Sequence, residues 1–163
     1  MGEITFPEVS GKNLKRKKYR FPQDFPAPLN IVLMAFQRYQ QLEINTWLPF
    51  VGQLDSEYED LTYLEFPVIY QMGPIGQFML NEGMRAGIPD QKARESTITL
   101  YVDKTQFMGQ MQIKSEDAIQ IFVVTGEGKV LWHETGVFTD EKADAIMKVV
   151  QSKILLKPEQ VNN

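Results

Sequence analysis

The stretch NIVLMAFQRYQQLEINTWLPFVGQL, residues 30–54, decides how this chain is read. Its first part, Ile31 to Phe36, is apolar at every position. That is the pattern of a strand covered on both faces, as in a parallel sheet. Its second part sets Ile44, Trp47, Leu48 and Val51 at i, i+3, i+4 and i+7, with Gly52 near the end. This spacing predicts a helix, kinked at Pro49 because a proline inside a helix removes one hydrogen bond and crowds the preceding turn. A buried strand running into an amphipathic helix is one strand-helix unit.

Working outward, LTYLEFPVIY (Leu61 to Tyr70) reads as a second strand, in which Pro67 bars a long central ladder beyond it. Gly73-Pro74 suits the opening of a helix carrying Ile75, Phe78, Met79 and Ala86, closed by Gly87 and Pro89. STITLYVD (Ser96 to Asp103) alternates Ile98, Leu100 and Val102 as a strand does, and Asp103 with Gln106 suggests a capping box for a short helix through Met111. Ala118 to Val124 is a further buried strand; TGEGK turns the chain and Val130 to Glu134 returns as its hairpin partner. Thr139 is a natural cap for a last helix with Ala143, Ile146, Met147 and Val150 on its apolar stripe. The order predicts an α/β sandwich with a central mixed sheet flanked by helices, and Ile31–Phe36 and Ile119–Val124 as neighbouring central strands.

The 163 residues, 43% hydrophobic and 23% charged, suit one globular domain, expected over residues 29–153 with a tail at 154–163. Residues 1–28 hold Pro7, Pro22, Pro26 and Pro28 and read as an extended basic lead-in, with KKYRFP as a candidate edge strand. Lys12 to Arg20 contains six of the 17 basic residues and no acid, so the rest of the chain is far more acidic than the net charge of −4 suggests. Lys15, Arg16, Lys17 and Lys18 are therefore candidates for contact with an anionic membrane surface, although a solvated lead-in segment is the more ordinary reading of the same run. No span or export signal stands out, so a cytoplasmic protein, peripheral at the membrane, is expected.

The chain has no cysteine, which excludes disulfides, thiolate metal sites and catalytic thiols. A single histidine, His133, is too little for a metal cage, and its neighbour Glu134 points to the opposite face of a strand. The acidic run DSEYED (Asp55 to Asp60) lacks the glycine and closing glutamate of a calcium loop and reads as a solvated turn. The alternative function, a cysteine-free enzyme, would have to use a cation on that acidic run or His133. No catalytic residue, metal ligand or cofactor is assigned, and no nucleic-acid partner is expected.

The element order, together with IFVVTGEGKVLWHETGVFTDEKADAIM, resembles the thioredoxin-like fold in the expanded form of peroxiredoxins. Within that superfamily, NIVLMAFQRYQQLEINTWLPF and KVLWHETG are similar to the mitochondrial ATP synthase assembly-factor family. The resemblance implies that the redox CxxC falls near Gln40-Gln41-Leu42-Glu43 and the cis-proline at Ala118 or Ile119, where this chain has neither sulfur nor proline. It therefore implies a fold kept without its redox chemistry, and a non-redox binding or assembly module for a protein partner, with a membrane complex such as ATP synthase as its client. Arg38, Tyr39 and Gln40 lie at the strand-helix junction where such proteins bind partners. Met72 and Pro74, in the turn before the next helix, are the other candidates; core packing accounts for most of the aromatic and methionine residues around them.

Overall fold

A computed structural model describes residues 3–88 and 90–154, the side chain of Lys92 excepted. Seven strands form one sheet: β1 (Val9–Asn13), β2 (Lys18–Phe21), β3 (Leu29–Ala35), β4 (Leu61–Tyr70), β5 (Ile98–Val102), β6 (Gln120–Thr125) and β7 (Val130–Thr135), in the order β2-β1-β5-β4-β3-β6-β7. β3 sits between β4, parallel, and β6, antiparallel, so the two largely apolar strands are interior neighbours. The helices are α1 (Gln41–Asn45), α2 (Leu48–Glu57), α3 (Pro74–Gly87), α4 (Gln91–Ser96), α5 (Lys104–Gln110) and α6 (Asp140–Lys153).

Alternation along the strands divides the core in two. Leu29, Ile31 and Leu33 of β3 pack with Trp47, Val51, Leu54, Ile146 and Val150 of the helical layer on one face. Val32 and Met34 turn to the other face, into a phenylalanine-rich cluster holding Phe6, Phe21, Phe25, Phe66 and Phe107. Phe6 meets four of these rings edge-on, with centroids 5.2 to 6.2 Å apart. Trp47 is fully buried and its indole N–H donates to the Gly136 carbonyl at 3.0 Å, tying the first helical segment to the loop before α6.

The predicted helix after β3 is divided. A single 3-10 turn at Arg38–Gln40 leads into α1, the chain breaks at Thr46-Trp47, and Pro49 opens α2 in its first turn, where a missing N–H costs nothing, so it is not a kink. The proline of β4 falls at the last rung of the β3 ladder, opposite Ala35, after which Val68 to Tyr70 pair with β5 instead. The β3 ladder thus ends at the proline, as its residue type requires, and β4 passes from β3 to β5 there. The Asp103 and Thr139 caps form, accepting from the backbone N–H of Gln106 at 3.1 Å and of Lys142 at 3.2 Å.

The segment ahead of Leu29 differs from the expected extended basic lead-in. β2 is the edge strand that KKYRFP suggested, but β1 pairs antiparallel with both β2 and β5, so the hairpin completes the sheet. Gly11 permits this close approach, since a Cβ there would lie 2.7 Å from the Thr99 carbonyl oxygen. Pro89 and the tail beyond Ile154 lie outside the described residues. Among the described residues no helix is long and apolar enough to cross a membrane.

Candidate partner-binding surface

β3 and β4 run parallel, β4 three residues further, so the segments that follow them, residues 36–42 and 71–78, leave the sheet at the same end. There a hydrogen-bonded floor replaces reactive groups. The Gln40 side chain accepts from the backbone N–H of Phe36 at 2.8 Å and of Gln37 at 3.1 Å, and donates to the Glu116 carbonyl at 2.7 Å. The Glu116 carboxylate accepts from Gln37 at 3.1 Å and from the Lys104 ammonium at 3.0 Å. That ammonium also lies 4.6 Å from the centre of the Tyr70 ring, which links the two emerging segments through one cation. Gln41 donates to the Glu65 carboxylate at 3.3 Å; burial pushes the Glu65 carboxyl above the usual glutamate range, and the Gln41 bond partly offsets this.

Of the residues expected to contact a partner, Arg38 and Tyr39 are exposed, Pro74 is exposed in the first turn of α3, and Met72 is half-buried beside it. Gln40 is a correction: it is fully buried and its amide is committed to the loop, so it holds Arg38 and Tyr39 in place and offers nothing to a partner. Phe78 and Met79 are a second correction, because they face solvent, at 55% and 68% exposure, where core packing was expected for most of the aromatic and methionine residues of this segment; Ile75 beside them is 78% exposed. Tyr39, Leu42 and Tyr70 are exposed as well. The helical spacing of Ile75, Phe78 and Met79 was visible in the sequence; which way the stripe faced was not.

The basic run is split by the turn between β1 and β2. Lys15 pairs with Glu95 at 2.9 Å and Arg16 with Glu82 at 2.6 Å, while the Lys17 ammonium lies 5.0 Å from the Tyr19 ring centre. Lys18 is exposed and makes no ion pair among the described residues. His133 is half-buried, its Nε2 2.6 Å from the Gln120 side-chain oxygen and its ring stacked 4.2 Å over Phe122; burial lowers its pKa, against the opposing pull of Glu134. No three Asp, Glu or His side chains converge as a metal cage among the described residues. The acidic run from Asp55 closes α2 and turns into β4.

No protein-family model and no curated protein sequence matches the chain. Solved structures do. The pneumococcal exposed lipoprotein thioredoxin of Streptococcus pneumoniae is 15% identical with a TM-score of 0.58, covering 90% of this chain and 99% of that one. A thiol:disulfide interchange protein from a Bacteroides species is 16% identical with a TM-score of 0.61, covering 93% and 91%. The copper-bound ScoI of Arabidopsis thaliana is 11% identical with a TM-score of 0.59, covering 91% and 99%. The seven-stranded sheet, its parallel β3–β4–β5 core and its closing β6–β7–α6 unit make this chain a protein of the thioredoxin-like fold.

Proposed function

We propose that this chain is a thioredoxin-fold binding or assembly module that works without redox chemistry and holds a protein partner at the end of the sheet where β3 and β4 finish. One observation carries the reading: the large apolar side chains Tyr39, Leu42, Tyr70, Ile75, Phe78 and Met79, on or just after the segments that leave that end, are all exposed, beside a floor of amides and one ion pair. Contiguous exposed apolar surface rimmed by polar groups is characteristic of protein-protein contact, and Arg38 and Tyr39 are residue types that dominate such contacts. The floor itself holds no thiol. By the resemblance, Gln40, Gln41, Leu42 and Glu43 fall near the position of the fold's redox thiols, and amides and carboxylates do not exchange disulfides.

In this reading the client is a membrane complex such as ATP synthase. The hairpin turn carrying Lys15 to Lys18 then faces the anionic lipid surface, with Lys17 and Lys18 contributing most because Lys15 and Arg16 already have acidic partners. Affinity capture with wild type and with Arg38→Ala plus Tyr39→Ala tests the partner surface. Loss of the captured proteins in the double variant supports it; an unchanged set moves the contact to Met72, Pro74 and the start of α3.

A further inference from the structure

A groove of about 690 Å³ opens between the start of α3 and the face of the sheet formed by β2, β1 and β5. Its floor follows from strand register. Lys12 lies directly opposite Lys18 and Ser10 opposite Arg20 on the antiparallel pair, so all four share one face. Gly11 opposite Leu100 brings Ser10 alongside Tyr101 of β5 on that same face. Gln71, Met72 and Gln77 form the wall.

Two features of this floor are unbalanced. Lys12 and Lys18 face each other as like charges across a strand pair, and neither they nor Arg20 makes an ion pair among the described residues. Cations on an edge strand guard against edge-to-edge pairing, which accounts for Lys18 and Arg20 but not for Lys12 on the interior strand β1. The one carboxylate in the lining, Asp24, accepts from the Arg20 backbone N–H at 2.7 Å, so the groove carries three cations against one anion. Tyr101 is only 8% exposed, and its hydroxyl has no hydrogen-bond partner among the described residues, an unspent donor at the floor.

The groove continues into a space of about 530 Å³ that shares Ser10, Arg20, Gln71 and Tyr101 and is lined further on by Glu8, Asp103, Gln106 and Gln110. Those carboxylates repel an anion and accept hydrogen bonds from hydroxyl groups. A ligand suited to both halves therefore has a doubly charged end and a hydroxyl-bearing body, and a phosphate monoester is a dianion above its second pKa of about 6. We propose that this groove binds a soluble phosphate monoester with a polyhydroxyl body, its phosphate held by Lys12, Lys18 and Arg20 and its hydroxyls directed toward Glu8 and Asp103. The groove uses none of Arg38, Tyr39, Leu42 or the Ile75, Phe78 and Met79 stripe; it shares only Met72 and Lys18 with the surfaces proposed above.

Ribose 5-phosphate, ribose and inorganic phosphate serve as probes in titration calorimetry with the full chain, beside vesicles of phosphatidylcholine with and without phosphatidic acid. Ribose 5-phosphate should bind saturably and more tightly than inorganic phosphate, and ribose alone should not bind. Lys12→Gln plus Lys18→Gln should weaken binding of ribose 5-phosphate tenfold or more, Tyr101→Phe severalfold, and Lys15→Gln plus Lys17→Gln not at all. Because the first pair removes a repulsion, its melting temperature should match or exceed that of wild type, which separates lost binding from lost folding. The proposal is overturned by absence of saturable binding of ribose 5-phosphate, by binding indifferent to Lys12 and Lys18, or by binding confined to phosphatidic-acid vesicles and lost with Lys15 and Lys17.

Discussion

α3 and α6 have the same length, 14 residues, and opposite relations to the sheet. α6 buries Ala143, Ile146 and Val150, the last two in one apolar cluster with residues of β3 and β6, while α3 buries only the polar Asn81 and turns Ile75, Phe78 and Met79 outward. The attachments of α3 are polar: Asn81 donates to the Asn13 carbonyl at 2.9 Å, and Arg16 of the β1–β2 turn pairs with Glu82 and lies 5.4 Å from the Phe78 ring centre. A helix held by apolar burial is part of the core, and one held at a few polar points is free to present its apolar residues. Amphipathicity alone does not tell the two apart.

The sharpest test of that contrast is Ile146→Ala, which leaves a cavity in a packed face and should cost about 2–5 kcal/mol in chemical denaturation, as large aliphatic truncations do. A loss below about 1 kcal/mol would place α6 with α3 as a surface helix.

An intermediate effect is expected on β4, the strand that leads into α3. The Glu65 carboxyl is raised by burial, so its neutral form fits the fold better than its charged form. Its contribution is complete below the unfolded-state value of about 4.3 and is lost as pH rises through the raised folded-state value. Melting temperatures of wild type and Glu65→Gln should therefore diverge as pH rises from the unfolded-state value through the raised folded-state value and stay apart above it, with the variant the more stable at neutral pH. A constant difference would mean that Glu65 is not desolvated.

The smallest effect belongs to the exposed stripe. Ile75→Ser plus Phe78→Ser should change stability by no more than about 0.5 kcal/mol per site while reducing partner capture. If the double variant unfolds instead, α3 is core and the comparison fails.

The central strands, the β6–β7 hairpin and the caps Asp103 and Thr139 were legible because their signals are local: continuous apolar runs, a Gly-containing turn, a carboxylate or hydroxyl three residues ahead of an N–H. β1 was not. VSGKN offers one apolar residue, a glycine required by the nearness of the Thr99 carbonyl, and Asn13, whose side chain closes the turn by accepting from the N–H groups of Lys15 and Lys17. None of these signals a strand until β5 is beside it. At the candidate site, the junction after β3 was legible from its polar residues, but the commitment of Gln40 depends on Glu116, 76 positions away, and the groove floor depends on a register between strands from opposite parts of the chain.

That long-range pairing gives the β1–β2 hairpin an entropic role. Asn13 and Glu95, which meet where the hairpin joins the rest of the molecule, are 82 positions apart, and the loop between them contains β3, β4 and α3. Closing a loop costs chain entropy that grows slowly with its length, about 0.6 kcal/mol for each doubling. Whatever fastens the hairpin to β5 and α3, a salt bridge at its turn or a ligand across its face, acts as a reversible clasp on half the chain, favouring the complete fold over any state in which the first twenty residues have come away.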